Sequence, residues 1–242
     1  MKKNFDPLTI LNIASDLLVC LSYIHNEKII HADLKPSNFV WDCFKTNKNN
    51  RDIILIDFSC SLFDLGNNQN YHASGNYSFS SVFQNKNKIV LQKDEIESLI
   101  YILLYFMDIN LPWIEFYDKT DKYKCKKYLE LKTNFKIENY LKKDLKIFTM
   151  ILFNDIKMKT EKDSIDYNFY NRLIMQEINC LKNKNGNEFR FNKEKEIKNI
   201  IIDYINNNNS FEFENRLCND IFIGFPKELV LESLIKYFGI KL

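Results

Sequence analysis

Between residues 8 and 26 apolar side chains recur at steps of three and four: Leu8, Leu11 and Leu18 on one row, Ile10, Ala14, Leu17, Leu21 and Ile24 on the next. That spacing predicts an amphipathic helix. Asp6 stands where a cap is wanted, and Pro7 suits a first helical turn. The period then changes. Phe39-Val40-Trp41 and Ile53-Ile54-Leu55-Ile56 are short β-prone runs flanking a polar stretch at 42–52, which predicts a β-hairpin with an extended loop. From Leu62 to about Lys88 no period is sustained, Ser, Asn and Gln dominate, and Gly66 and Gly75 interrupt; a long loop is expected there. Asp94 to Met107 is apolar nearly all round, through Ile96, Leu99, Ile100, Ile102, Leu103, Leu104 and Phe106, and predicts a buried central helix ending before Leu111-Pro112-Trp113. Further helices are expected near 134–142, 144–154, 166–181, 193–206 and 227–238, with Gly186 in a connection and the Asn run at 206–209 as a flexible joint. The expected fold class is therefore mainly α with a small β-hairpin.

Composition narrows the classes of function. The chain has 242 residues, 45% of them hydrophobic, enough for a real core. Thirty-four Lys+Arg against 32 Asp+Glu leave a net charge of +2, so no global field draws the chain to nucleic acid or to a membrane surface, and neither is expected as a partner. Lys122, Lys124, Lys126 and Lys127 read as a solvated face. The cysteines at 20, 43, 60, 125, 180 and 218 are widely spaced and form no metal pattern, as expected of reduced thiols in a cytoplasmic or nuclear protein. The first residues lack the apolar segment of a secretory signal, and the longest apolar run, Leu99 to Met107, is shorter than the roughly 18 residues a membrane span needs.

The chemistry concentrates in Ile30-His31-Ala32-Asp33-Leu34-Lys35-Pro36-Ser37-Asn38-Phe39, followed across the hairpin by Ile56-Asp57-Phe58-Ser59. Phosphoryl transfer from a nucleotide needs a carboxylate for the acceptor hydroxyl, a cation on the moving phosphoryl group and hard oxygen ligands for Mg²⁺. Asp33 fits the base, Lys35 the cation, and Asn38 and Asp57 the magnesium ligands, brought together by the hairpin. His31 fits a supporting role beneath the loop.

This arrangement resembles the catalytic loop and magnesium motif of protein kinases, HRDxKxxN and DFG. Within that superfamily, three ordered stretches are similar to the casein kinase 1 family: Gly75-Asn76-Tyr77-Ser78-Phe79-Ser80-Ser81-Val82 at the place of its GTARYAS(I/V) segment, Lys93 to Phe106 with Leu111-Pro112-Trp113, and Asp163 to Tyr170 at the place of its PDYxYL helix start. The resemblance covers about residues 5–175. It implies a protein-kinase-like C-lobe over 1–181, a divergent helical extension over 182–242, ATP and Mg²⁺ as cofactors, and a serine/threonine kinase acting on protein hydroxyls. It also implies that Lys35, Asn38 and Asp57 contact the nucleotide or its metal.

Four departures bear on activity. Ala32 stands at the loop arginine that pairs with a phosphorylated activation segment in many kinases, so that switch is not expected. Ser59 stands at the glycine after Asp57-Phe58, where a side chain restricts positive φ at a cost of about 1 kcal/mol. Ser78 replaces the arginine of GTARY, and Ile114-Glu115 follow Trp113, which removes attraction for an anionic substrate residue and adds repulsion. No Gly-rich strand or strand lysine precedes the loop, so the resemblance implies a C-lobe without its N-lobe. The partners expected are a protein substrate and a missing N-lobe or partner protein. A catalytically inactive, one-lobed pseudokinase acting as a binding or scaffold protein is the alternative; a small-molecule phosphotransferase fits less well, because of Lys35 and the downstream stretches.

Overall fold

A computed structural model describes residues 5–41, 53–63, 76–87, 89–116, 122–140, 145–160, 163–182 and 198–206, with a few isolated positions after them. Two compact units divide the chain. One comprises Met1–Lys136 with Lys159–Tyr167, the other Ile137–Met158 with Asn168–Leu242.

The first unit opens with α1 (Pro7–Asn26), started by the Asp6 carboxylate, which accepts the Thr9 N–H at 3.0 Å. Its stripe of Ile10, Leu11, Ile13, Ala14, Leu17, Leu18 and Leu21 is buried, each larger side chain contributing about 2 kcal/mol of apolar transfer. By length and composition α1, 20 residues of mean hydropathy 1.6, could also cross a bilayer. Counting unbroken apolar runs misses this, because Asn12, Ser15 and Asp16 interrupt α1.

Lys28, at φ 61°, turns the chain into β1 (Ile29–Ile30). The predicted hairpin is β2 (Phe39–Trp41) against β3 (Ile53–Leu55), in register Phe39↔Leu55, Val40↔Ile54 and Trp41↔Ile53. A second antiparallel pair joins β1 to β4 (Leu62–Phe63) through Ile29↔Phe63 and Ile30↔Leu62. Two-residue strands carry no alternation to read, so the hairpin alone was expected. Within the predicted loop of 62–88 the structure also has α2 (Val82–Asn87). Gly66 and Gly75, like the stretch 42–52, lie outside the described residues.

The central helix is α3 (Gln92–Phe106), buried on almost every side and packed on α1. After it, Trp113 is fully buried, its ring 4.9 Å from both Tyr101 and Phe135 in edge-to-face contacts. Next comes α4 (Lys122–Thr133), which the pattern did not predict. Its lysines read as a solvated face, yet Tyr128 and Lys132, four residues apart, are its buried side. The helix expected at 134–142 is a single 3-10 turn, Ile137–Asn139.

That turn belongs to the second unit, with α5 (Lys146–Met158), α6 (Tyr167–Lys182) after its first residue, and helical residues 198–206. Met150, Ile151, Leu152 and Ile156 of α5 and Tyr170, Leu173, Ile174 and Ile178 of α6 are buried, and the Tyr170 hydroxyl donates to Asp155 Oδ2 at 2.5 Å. Most of the helix expected at 227–238, the joint at 207–209 and Gly186 lie outside the described residues. Cys20, Cys60 and Cys125 are in the thiol form; Cys43 and Cys218, and the side chain of Cys180, lie outside the described residues. Among the described residues the fold is mainly α, with two small antiparallel strand pairs.

Candidate functional site

The loop between β1 and β2 is held by side chains from three other elements. His31 is fully buried; its Nε2–H donates to the Ile56 carbonyl at 3.0 Å, its Nδ1 accepts the Asp33 N–H at 3.3 Å, and its ring lies 4.9 Å from that of Phe58. It thus ties the loop to the strand end that carries Asp57. Glu95, in the first turn of α3, reaches up beneath the loop. Its Oε1 accepts the Ala32 N–H at 2.8 Å, and its Oε2 accepts the His31 N–H at 3.2 Å and a bond from His25 Nε2 at 2.6 Å. His25 Nδ1 in turn accepts from the Tyr167 hydroxyl, whose ionisation is pushed far above the ordinary tyrosine value by burial and by the Glu95 charge. Ala32 sits at φ 65°, a left-handed conformation that costs a non-glycine residue about 1–2 kcal/mol and that the Glu95 bond offsets.

Asp33 is nearly buried, at 7% exposure, and both of its oxygens are engaged. Oδ1 accepts the Asn76 backbone N–H at 2.6 Å, while Oδ2 accepts Lys35 Nζ at 2.5 Å and, more weakly, Asn38 Nδ2 at 3.4 Å. Asn38 Nδ2 makes its better bond to the Asp33 carbonyl, at 2.8 Å. The Ile56 N–H donates to the Asn38 carbonyl at 2.9 Å, which continues the β2–β3 ladder by one step and sets Asn38 and Asp57 at the same end of the hairpin. The bond to Asp33 raises Lys35 above the ordinary lysine value against the pull of desolvation, and the Asp33 and Asp57 charges add to it. The four residues singled out in the sequence therefore form one electrostatic group.

Asp57 is exposed, at φ 66°, and caps the 3-10 turn Phe58–Cys60. Its Oδ1 accepts the Ser59 hydroxyl at 2.6 Å and, at 3.4 Å, the Ser59 N–H; these two donors, the hydroxyl first, hold its carboxyl below the usual range. The restriction expected at Ser59 falls elsewhere. Ser59 lies in a right-handed turn, and the positive φ angles are at Asp57 and Ala32.

Among the described residues, no group of three or more His, Cys, Asp or Glu could hold a metal by itself. With its amide nitrogen committed to Asp33, Asn38 offers Oδ1, and with Oδ1 committed to Ser59, Asp57 offers Oδ2. Two hard oxygens fit Mg²⁺, which keeps several waters and takes its remaining ligands from substrate phosphates.

Across from Asp33 runs the segment Asn76–Ser80. Its Tyr77 carbonyl accepts from Lys132 Nζ at 2.9 Å and from the Tyr128 hydroxyl, and its Ser78 carbonyl accepts from Trp113 Nε1 at 2.9 Å. The Lys132 ammonium is fully buried, 5.0–5.3 Å from the ring centroids of Tyr101, Trp113 and Tyr128, where cation–π attraction offsets part of its desolvation. Farther along, the Ser81 hydroxyl donates to Asp94 at 2.7 Å and the Val82 N–H to Glu97 at 3.2 Å. In β2, in β3 and just after it, in the turn after Asp57 and in β4, Val40, Trp41, Ile54, Ile56, Phe58 and Phe63 are exposed.

Sequence reasoning gave no role to Glu95, Tyr167 or Asn76, which lie in the quoted stretches, and missed His25 and Lys132. The signal available for Glu95 was a charge inside an otherwise apolar helix; Asn76 acts through its backbone and left no signal. No family model matches the chain.

Proposed function

We propose that the site transfers a phosphoryl group from a nucleoside triphosphate to a protein hydroxyl, as in a casein kinase 1-like serine/threonine kinase. The observation that carries this reading is the convergence on one carboxylate: Lys35 and Asn38 both bond to Asp33, and the Asp57 charge acts on Lys35. ATP would supply the phosphoryl group, and Mg²⁺ held by Asn38 Oδ1 and Asp57 Oδ2 would supply charge neutralisation on the phosphates. As the new O–P bond forms and the bond to the leaving nucleoside diphosphate breaks, Asp33 receives the proton of the acceptor hydroxyl, and Lys35, charged across the neutral range, would lie beside the transferred group. The incoming hydroxyl displaces the Asn76 N–H from Oδ1, so the segment Asn76–Ser80 shifts when substrate enters. With Ser78 in that segment and the exposed Glu115 two residues after Trp113, whose indole N–H bonds the Ser78 carbonyl, neutral or basic substrate neighbours are favoured over phosphorylated ones.

Labelled ATP, Mg²⁺ and a mixed Ser/Thr peptide pool test this. Asp33→Asn is expected to lower transfer by about 10²- to 10⁴-fold, with stability changed by less than about 2 kcal/mol. Transfer by Asp33→Asn at the wild-type rate removes Asp33 from the mechanism. The second reading, a catalytically inactive pseudokinase that binds or scaffolds a partner, draws on the closed state of Asp33 and the exposed apolar side chains beside the loop. A folded chain with neither transfer nor a Mg·ATP-dependent thermal shift decides for it.

A further inference from the structure

We infer that Ser59 is a positioning residue that presets Asp57 as a one-oxygen ligand for a small octahedral cation, an inference that rests on the proposed reading of Asn38 and Asp57 as the metal-holding pair. Where the kinase motif has glycine, this chain places a hydroxyl 2.6 Å from Asp57 Oδ1, with the Ser59 N–H on the same oxygen. Glycine could supply only the N–H, at 3.4 Å, which is too long to fix a rotamer by itself.

The consequence is geometric. Asp57 is exposed, and among the described residues the hydrogen bonds on its carboxylate come from Ser59 in the turn it caps. A free aspartate samples several rotamers and offers a cation either one oxygen or both. With Oδ1 bonded to the hydroxyl, the carboxylate plane is fixed and Oδ2 is the oxygen left to ligate. Single-oxygen ligation suits Mg²⁺ or Mn²⁺, which demand near-ideal octahedra at about 2.0–2.1 Å, whereas Ca²⁺, at 2.3–2.6 Å, accepts two-oxygen carboxylate ligation. Ser59 therefore strengthens binding of the small ions and disfavours Ca²⁺. The two groups that would ligate are thereby held alike: Asn38 has its nitrogen tied to Asp33, Asp57 has one oxygen tied to Ser59, and each is left with one oxygen.

The test is Mn²⁺ binding followed by electron paramagnetic resonance, on the whole chain with a non-hydrolysable ATP analogue, with Mg²⁺ and Ca²⁺ as competitors. Ser59→Ala removes the hydroxyl and keeps the backbone donor; Ser59→Thr keeps both; Asp57→Asn tests the ligand itself, and circular dichroism melting checks that each variant folds. Expected for Ser59→Ala is a 10- to 100-fold weaker Mn²⁺ affinity, the range for removing a group that orients a metal ligand, together with a gain in the ability of Ca²⁺ to compete. Ser59→Thr should keep both properties of the wild type. Wild-type Mn²⁺ affinity and unchanged Ca²⁺ competition in Ser59→Ala overturn the inference while leaving the metal site standing. A wild-type chain whose Mn²⁺ signal is insensitive to Asp57→Asn overturns the reading of the site, and the inference falls with it.

Discussion

Glu95→Ala removes the side chain that accepts two of the loop's backbone N–H groups. The carboxylate is 1% exposed and accepts three bonds: the N–H groups of His31 and Ala32, and His25 Nε2. Truncation leaves two buried backbone donors without their acceptor, each costing about 1–3 kcal/mol, and strands a buried imidazole. It also withdraws the bond that holds Ala32 in its left-handed conformation. The expected loss is about 4 kcal/mol, the middle of the range for two stranded donors and a large share of the 5–15 kcal/mol typical of a whole domain. Urea titration by far-ultraviolet circular dichroism measures it, with the slope against urea checked so that the midpoint alone reports stability. Glu95→Gln should fall between the two, because the amide keeps one acceptor oxygen but turns an NH₂ toward donors. A loss under about 1 kcal/mol for Glu95→Ala would mean that the two N–H groups find other partners, and would remove Glu95 as the support of the loop.

Two further perturbations address other parts of the first unit. Burial, with a contribution from the Glu97 charge, raises the Asp94 carboxyl to about 7 against the Ser81 and Leu91 donors and the Lys93 charge. The folded chain therefore keeps this proton between about 4 and 7 while the unfolded chain releases it, so the contribution to stability is full below about 4 and is lost as pH rises to about 7. The wild-type urea midpoint should fall from pH 5 to pH 8 more steeply than that of Asp94→Asn; parallel curves refute it. Trp113→Ala empties a fully buried site beside Tyr101 and Phe135 and frees the Ser78 carbonyl, so a loss of about 3–5 kcal/mol is expected by thermal melting, and a loss well below that range contradicts the packing described.

What the amino-acid pattern made legible was set by length and locality. Four helical periods long enough to repeat, in α1, α3, α5 and α6, were readable, and so was the β2–β3 hairpin, because β-prone runs flank it. Pairing of Ile29–Ile30 with Leu62–Phe63 was not, since two-residue strands have no period. α4 was hidden by its lysines: Lys132 serves as core, through cation–π contacts and a carbonyl supplied by a distant segment, a role composition does not signal. For the site, Asp33, Lys35 and Asn38 were readable because their spacing is local and chemically specific. The acceptors and donors that fix them, Glu95 and the Asn76 N–H, lie 62 and 43 positions from Asp33, and only folding brings them near.

Three acidic residues near the start of α3 each hold backbone outside the helix body. Asp94 accepts the Leu91 N–H, Glu95 those of His31 and Ala32, and Glu97 that of Val82. Acids suit this end of a helix, where the unsatisfied amides carry positive partial charge. The arrangement makes one helical terminus a clasp shared by two segments remote in sequence. Fraying of α3 at that end exposes four amides to solvent together, so the β1–β2 loop and the start of α2 loosen in a single cooperative opening instead of as independent segments. The free energy of that one event sets how long the arrangement around Asp33 persists between openings.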